Sequence, residues 1–171
     1  MIKKFEIETN NFDKCSMNSV DNSDDTVGYA IETLFSVEDD IYINWNGFKI
    51  PLSLKYDVSD IWNDVILMVK NIIKGTEKEF TIHFPSSTFF AAWVFSVDSD
   101  ILTIKAYWTT VNLEKEDLLR LRENNMPLVI DKKEFLEEWY KILIPMKRVI
   151  LMSNYNIKKL KNFKQSFSVL E

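Results

Sequence analysis

The sequence predicts an α+β protein built from two antiparallel sheets, a central helix and C-terminal helices. Three observations predict it. Short apolar-alternating runs bounded by turn residues recur over residues 2–53 and again over 77–110. Between them, residues 60–74 place apolar side chains at helical spacing. Residues 131–144 repeat that helical pattern after the second group of strands. The 171 residues are one domain's length, and 46% hydrophobic with 27% charged residues is globular rather than disordered composition.

Taken in order, residues 2–8 read as a short strand with Ile2, Phe5 and Ile7 apolar. Residues 10–27 hold four Asp, four Asn and three Ser and read as an acidic, polar loop. Residues 28–37 (GYAIETLFSV) read as a second strand. The strongest local signal follows. Asn46-Gly47 separates DIYINW from FKIPLS, and Asn-Gly suits the two positive-φ positions of a type I′ turn. The register then opposes Trp45 to Phe48, Ile43 to Ile50 and Ile41 to Leu52, all on one face. Pro51 falls opposite Tyr42 with no N–H to share, which suits a strand at a sheet edge or near its end.

Helix 60–74 has Ser59 as a candidate N-cap and Gly75 as a terminator, with Val58, Ile61, Trp62, Val65, Val69, Ile72 and Ile73 as its core stripe. Three strands, 77–84, 88–97 and 101–110, form a meander. A three-residue link at Asp98-Ser99-Asp100 would oppose Val94 to Ile104, Ala92 to Ala106 and Phe90 to Trp108 as the core face. Trp93, Phe95, Tyr107 and Lys105 then lie on the other face, either covered by a helix or functional. Residues 113–123 read as a helix capped by Asn112, and 127–130 as a last short strand. Asp131 with Glu134 opens a helix to about residue 144, where Pro145 ends or kinks it. The tail 147–171, with six bases and one acid, reads as a second helical segment that docks or mediates self-association. Residues 1–171 are therefore expected to form a single domain.

Composition excludes several chemistries. One cysteine (Cys15) and one histidine (His83) leave no disulfide framework and no Cys/His zinc pattern, so no metal or other cofactor is expected. No phosphate-loop, dinucleotide, nucleophile-elbow or metalloprotease motif is present, and no catalytic residue stands out. His83 alternates between Ile82 and Phe84 as an ordinary strand histidine would. Cys15 sits in an acidic segment that disfavours a thiolate. The N-terminus lacks the apolar run of a signal peptide, and no stretch approaches the ~20 apolar residues of a membrane span. A cytoplasmic protein with no membrane partner is expected.

Charge points to a partner. Residues 1–100 hold 17 acids and 8 bases, whereas 101–171 hold 9 acids and 13 bases. The acidic clusters Asp24-Asp25, Glu38-Asp39-Asp40, Asp57/Asp60/Asp64 and Asp98/Asp100 read either as turn and cap chemistry or as a surface complementary to a cationic partner. A net charge of −5 makes general nucleic-acid binding an unfavoured expectation. The 13% aromatic content leaves open a single-stranded nucleic-acid module that uses an aromatic sheet face and the basic tail.

The hairpin IYINWNGFKIPL (41–52), the helix DIWNDVILMVKNIIKG (60–75) and the meander FTIHFPSSTFFAAWVFSVDSDILTIKAYW (80–108) give roughly a β4-α-β4-α order. That order resembles the Whirly-type fold, which some immunity proteins of bacterial contact-dependent growth inhibition systems share. The resemblance implies a small cytoplasmic protein that neutralises the C-terminal domain of a cognate toxin, often a nuclease. It assigns no residue by motif. The expected toxin-binding surface comes instead from charge: Glu38, Asp39, Asp40, Asp57, Asp60 and Asp64, with Tyr42 and Trp93 as anchors.

Overall fold

The computed structural model describes residues 3–9, 12 and 17–171; Ile2 and Cys15 lie outside the described residues. The order is β1 (Phe5–Glu8), α1 (Val27–Leu34), β2 (Asp40–Trp45), β3 (Phe48–Ser53), a π-helical turn (Leu54–Val58) and α2 (Ser59–Lys74). Then follow β4 (Glu79–Pro85), β5 (Phe89–Asp98), β6 (Ile101–Val111), α3 (Lys115–Glu123), β7 (Leu128–Asp131), α4 (Lys132–Met152) and α5 (Phe163–Phe167). The strands make a three-stranded sheet, β1-β2-β3, and a four-stranded sheet, β4-β5-β6-β7, both antiparallel. The protein is α+β, as the sequence predicts. The sheets share one core. Trp45 of β2 lies 4.7 Å from Trp93 of β5 and 5.4 Å from Trp108 of β6, and Phe5 of β1 lies 4.7 Å from Phe135 of α4 (ring centroids).

The Asn-Gly hairpin forms in the expected register. Asn46 and Gly47 have φ of 46° and 90°, and Trp45 pairs with Phe48, Ile43 with Ile50 and Ile41 with Leu52. Pro51 opposes Tyr42 on β3, which is an edge strand. Gly75 ends α2 at φ 60°, and Asp131 caps α4 by accepting from the Lys133 and Glu134 amides.

Other elements differ from the expectation. Residues 27–34 are a helix, not a strand, so the first sheet has three strands. Thr26 caps this helix, and its buried residues Val27, Ala30, Ile31 and Leu34 follow i, i+3, i+4, i+7 spacing. The meander turn is shorter than expected. Asp98 pairs with Ile101, leaving Ser99-Asp100 as the loop, with Ser99 at φ 55°. That change shifts the register by one and turns β5 over. Ala91 faces Trp108, Trp93 faces Ala106 and Phe95 faces Ile104, so Trp93 and Phe95 are buried while Phe90 is exposed.

Helix starts differ as well. Ser59 is not a cap but a helical residue behind the π-helical turn, and its hydroxyl donates to the Lys55 carbonyl at 2.5 Å. Glu114, not Asn112, occupies the cap position of α3. Pro145 does not end α4. Met146, Val149 and Ile150 are buried beyond it, and their burial outweighs the roughly 3 kcal/mol cost of an internal proline. The tail docks on the core. Phe167 packs 5.6 Å from Trp62, and the Trp62 indole N–H donates to Ser166 Oγ at 3.0 Å.

Candidate protein-binding surface

Two helices and the turn between β3 and α2 build a polar surface. α1 crosses the start of α2 at Gly28, where an added Cβ would lie 2.8 Å from the Ser59 carbonyl oxygen. Glycine is required there by that close approach. Gly28→Ala is expected to part the two helices and cost about 1–3 kcal/mol in thermal or urea unfolding. Lys55 staples the π-helical turn to α1: its Nζ donates to the Glu32 carbonyl at 2.6 Å and lies 5.8 Å from the Tyr56 ring centroid. The preceding loop joins the same turn, because the Leu54 amide donates to the Asp39 carbonyl at 2.8 Å.

This scaffold presents two exposed tyrosines, Tyr29 (56% exposed) and Tyr56 (48%). Tyr29, Glu32, Asp60 and Asn63 line one groove between the helices. Among the described residues, neither the Glu32 nor the Asp60 carboxylate has an ion-pair or hydrogen-bond partner. Exposed Glu38 lies on the adjoining loop. The surface combines unpaired negative charge with large amphipathic rings, a pairing suited to docking a cationic protein surface.

The expected site residues divide. Glu38 and Asp60 are exposed, and Asp60 lines the groove. Asp39 is half-buried and accepts from the Ser36 amide at 2.7 Å, a loop-forming role. Asp40 is half-buried, and burial, reinforced by Asp57 and Asp39, holds its carboxyl above the ordinary range. Tyr42 lies on the outer face of the three-stranded sheet beneath the Lys49 ammonium, 4.4 Å from its ring centroid. Two residues cannot touch a partner. Asp57 is 2% exposed, accepting from Ser86 Oγ and Thr88 Oγ1 at 2.5 Å each and from the Ser53 amide at 2.9 Å. Trp93 is fully buried. Reading residues 28–37 as a strand hides Tyr29 and Glu32. The signal was the helical spacing behind Thr26, which leaves Tyr29 and Glu32 on the outer side of α1.

Asp64 belongs to a different neighbourhood. It is half-buried and close enough to His83 of β4 to feel its charge. Burial raises its pKa, partly offset by a backbone hydrogen bond and by His83. A raised carboxyl pKa means that the ionised form costs stability above that pKa, and that the cost disappears as the group protonates. Asp64→Asn is therefore expected to raise the melting temperature at neutral pH, with the gain vanishing in acid; a pH series of thermal melts checks it.

The outer face of the four-stranded sheet carries Phe90, Ile101, Tyr107 and Val129, each more than 40% exposed, together with exposed Lys105. Among the described residues no cluster of three or more His, Cys, Asp or Glu could hold a metal ion, and no helix is long and apolar enough to cross a membrane. Comparison with protein-family models, with curated proteins and with solved structures gives no match.

Proposed function

We propose that this chain is a non-enzymatic binding protein that neutralises a partner by covering a basic site, as an immunity protein covers the nuclease domain of a cognate toxin. The supporting observation is the α1–α2 groove, where Glu32 and Asp60, unpaired among the described residues, stand beside exposed Tyr29, with exposed Tyr56 on the π-helical turn that leads into α2. A nuclease site must be basic to hold phosphates, so carboxylates can occupy it and deny it to substrate. Exposed Glu38 adds a carboxylate on the loop that follows α1, while Lys55 stays engaged with α1. The reading places the chain in the cytoplasm and retains the Whirly likeness as part of the proposal.

Affinity capture from the source cells tests it. The tagged chain is expected to retain a basic protein domain at near-equal amount, and Glu32→Lys/Glu38→Lys/Asp60→Lys to lose it. With the retained domain in hand, the triple variant should associate about tenfold or more slowly at low salt. Equal retention by both proteins contradicts this surface.

A second reading draws on the exposed pair Phe90 and Tyr107 beside Lys105, a platform for single-stranded nucleic acid. It requires a gel shift that weakens with salt and is lost in Tyr107→Ala.

A further inference from the structure

β7 covers only part of the β6 edge. β6 runs from Ile101 to Val111, but β7 pairs with it only over Ile101–Ile104. The Lys132 amide donates to the Asp100 carbonyl at 2.7 Å, so Asp100, Leu102 and Ile104 turn their backbone N–H and C=O groups toward β7. The same alternation turns those of Ala106 and Trp108 to that side. The Trp108 carbonyl is taken there by Arg122 Nε at 3.1 Å. By register, Met126 is the residue that would meet Ala106. Its backbone is engaged elsewhere: the amide donates to Asn124 Oδ1 at 3.3 Å and the carbonyl accepts from Asn46 Nδ2 at 3.1 Å. Two asparagines thus hold the ladder open, and among the described residues the Ala106 N–H and C=O have no partner.

The side chains widen this gap. Ala106 shares the core face of β6 with buried Ile104 and Trp108, yet it is small and remains partly exposed. A cavity of about 220 Å³ opens there, lined by Ala106, Trp45, Trp108 and Asn125. Lys105 also lines it; its ammonium is exposed and has no ion pair among the described residues. None of these residues belongs to the α1–α2 groove.

We infer that this cavity binds a nucleotide, with the base against the Trp45 and Trp108 walls, its edge on the Ala106 N–H and C=O, and its phosphate toward Lys105. The chemistry of the lining selects this ligand. An extended peptide needs several residues of free edge, and here the Ile104–Leu128 pair closes one end and Arg122 the other. An aliphatic ligand would leave the Ala106 groups unpaired. A bare anion would gain nothing from the indoles and would meet the Ala106 carbonyl. A base offers a flat ring for the apolar walls and a donor beside an acceptor for the strand edge.

The test is titration of the full chain with AMP, GMP, CMP and UMP, read by tryptophan fluorescence and by thermal melts. At least one nucleotide is expected to change the fluorescence and raise the melting temperature. Its nucleoside should bind about threefold more weakly, and Lys105→Gln should erase that difference. Ala106→Val puts methyl groups into the cavity; it should lose about tenfold or more in affinity without a lower melting temperature. Asn125→Ala, at an exposed position, should lose about fivefold. A single-stranded oligonucleotide that binds more tightly than the mononucleotides, and is lost in Ala106→Val, assigns the same pocket to a base within a strand. No response to any of the four nucleotides at millimolar concentration overturns the proposal, as does binding that Ala106→Val leaves unchanged.

Discussion

Glu138→Ala is expected to remove about 1–3 kcal/mol of folding stability, because it strands the buried Ile7 amide that this carboxylate serves. Glu138 is 3% exposed. One oxygen accepts from Lys3 Nζ at 3.1 Å, and the other from Lys141 Nζ at 2.5 Å and from the Ile7 amide at 2.8 Å. β1 is an edge strand, and Ile7 presents its amide on the side away from β2. A fourth strand would pair with that edge; α4 satisfies it instead with a carboxylate for the N–H and, through Lys141 Nζ at 3.4 Å, a donor for the Ile7 carbonyl. Burial pushes the Glu138 carboxyl up, but Lys141, the Ile7 amide and Lys3 together hold it below its ordinary value of 4.5. A lowered carboxyl pKa stabilises the fold above the ordinary value, and that contribution fades as pH drops through the folded value. The gap between wild type and Glu138→Ala in urea unfolding should therefore be widest at neutral pH and close in acid.

Trp93→Ala is expected to cost more, roughly 3–5 kcal/mol, through the cavity it leaves. The Trp93 ring lies 4.7 Å from Trp45, 4.8 Å from Phe84, 5.8 Å from Trp108 and 6.4 Å from Trp139. These contacts join both sheets and α4 at one point. Among the described residues the Trp93 indole N–H has no hydrogen-bond partner, so Trp93→Phe forfeits packing volume but no bond and should cost clearly less than the alanine variant. Melting curves of the two variants give this order. An anchor on a binding surface would behave otherwise, weakening capture of the partner while leaving the melt unchanged.

Local chemistry was legible in the sequence wherever it had one solution. Asn46-Gly47 admits a tight turn that agrees with the alternation on both sides, and the register followed to the residue. Asp131 with Glu134, and Gly75, likewise marked helix ends correctly. Short apolar segments were ambiguous. Residues 28–37 contain enough Ile, Leu, Phe and Val for a strand, and only the cap at Thr26 and the spacing from Val27 to Leu34 argue for a helix. In the meander one residue of loop length decided which face of β5 is buried, since Ser99 adopts a positive φ that a serine does not advertise. The site was legible only as charge. Glu38 and Asp60 are exposed, as a surface role requires, but Asp57 looks like them in sequence and is held inside by Ser53, Ser86 and Thr88, partners that only the tertiary fold supplies.

Titrating this chain into the catalytic assay of the basic domain it retains from source cells tests the central claim most directly. If the α1–α2 surface covers that domain's active site, nucleic-acid cleavage should fall to background at one equivalent of wild-type chain. The folded Glu32→Lys/Glu38→Lys/Asp60→Lys variant should leave it running. Cleavage that continues at full rate with saturating wild-type chain, or that the triple variant suppresses equally, would contradict the account.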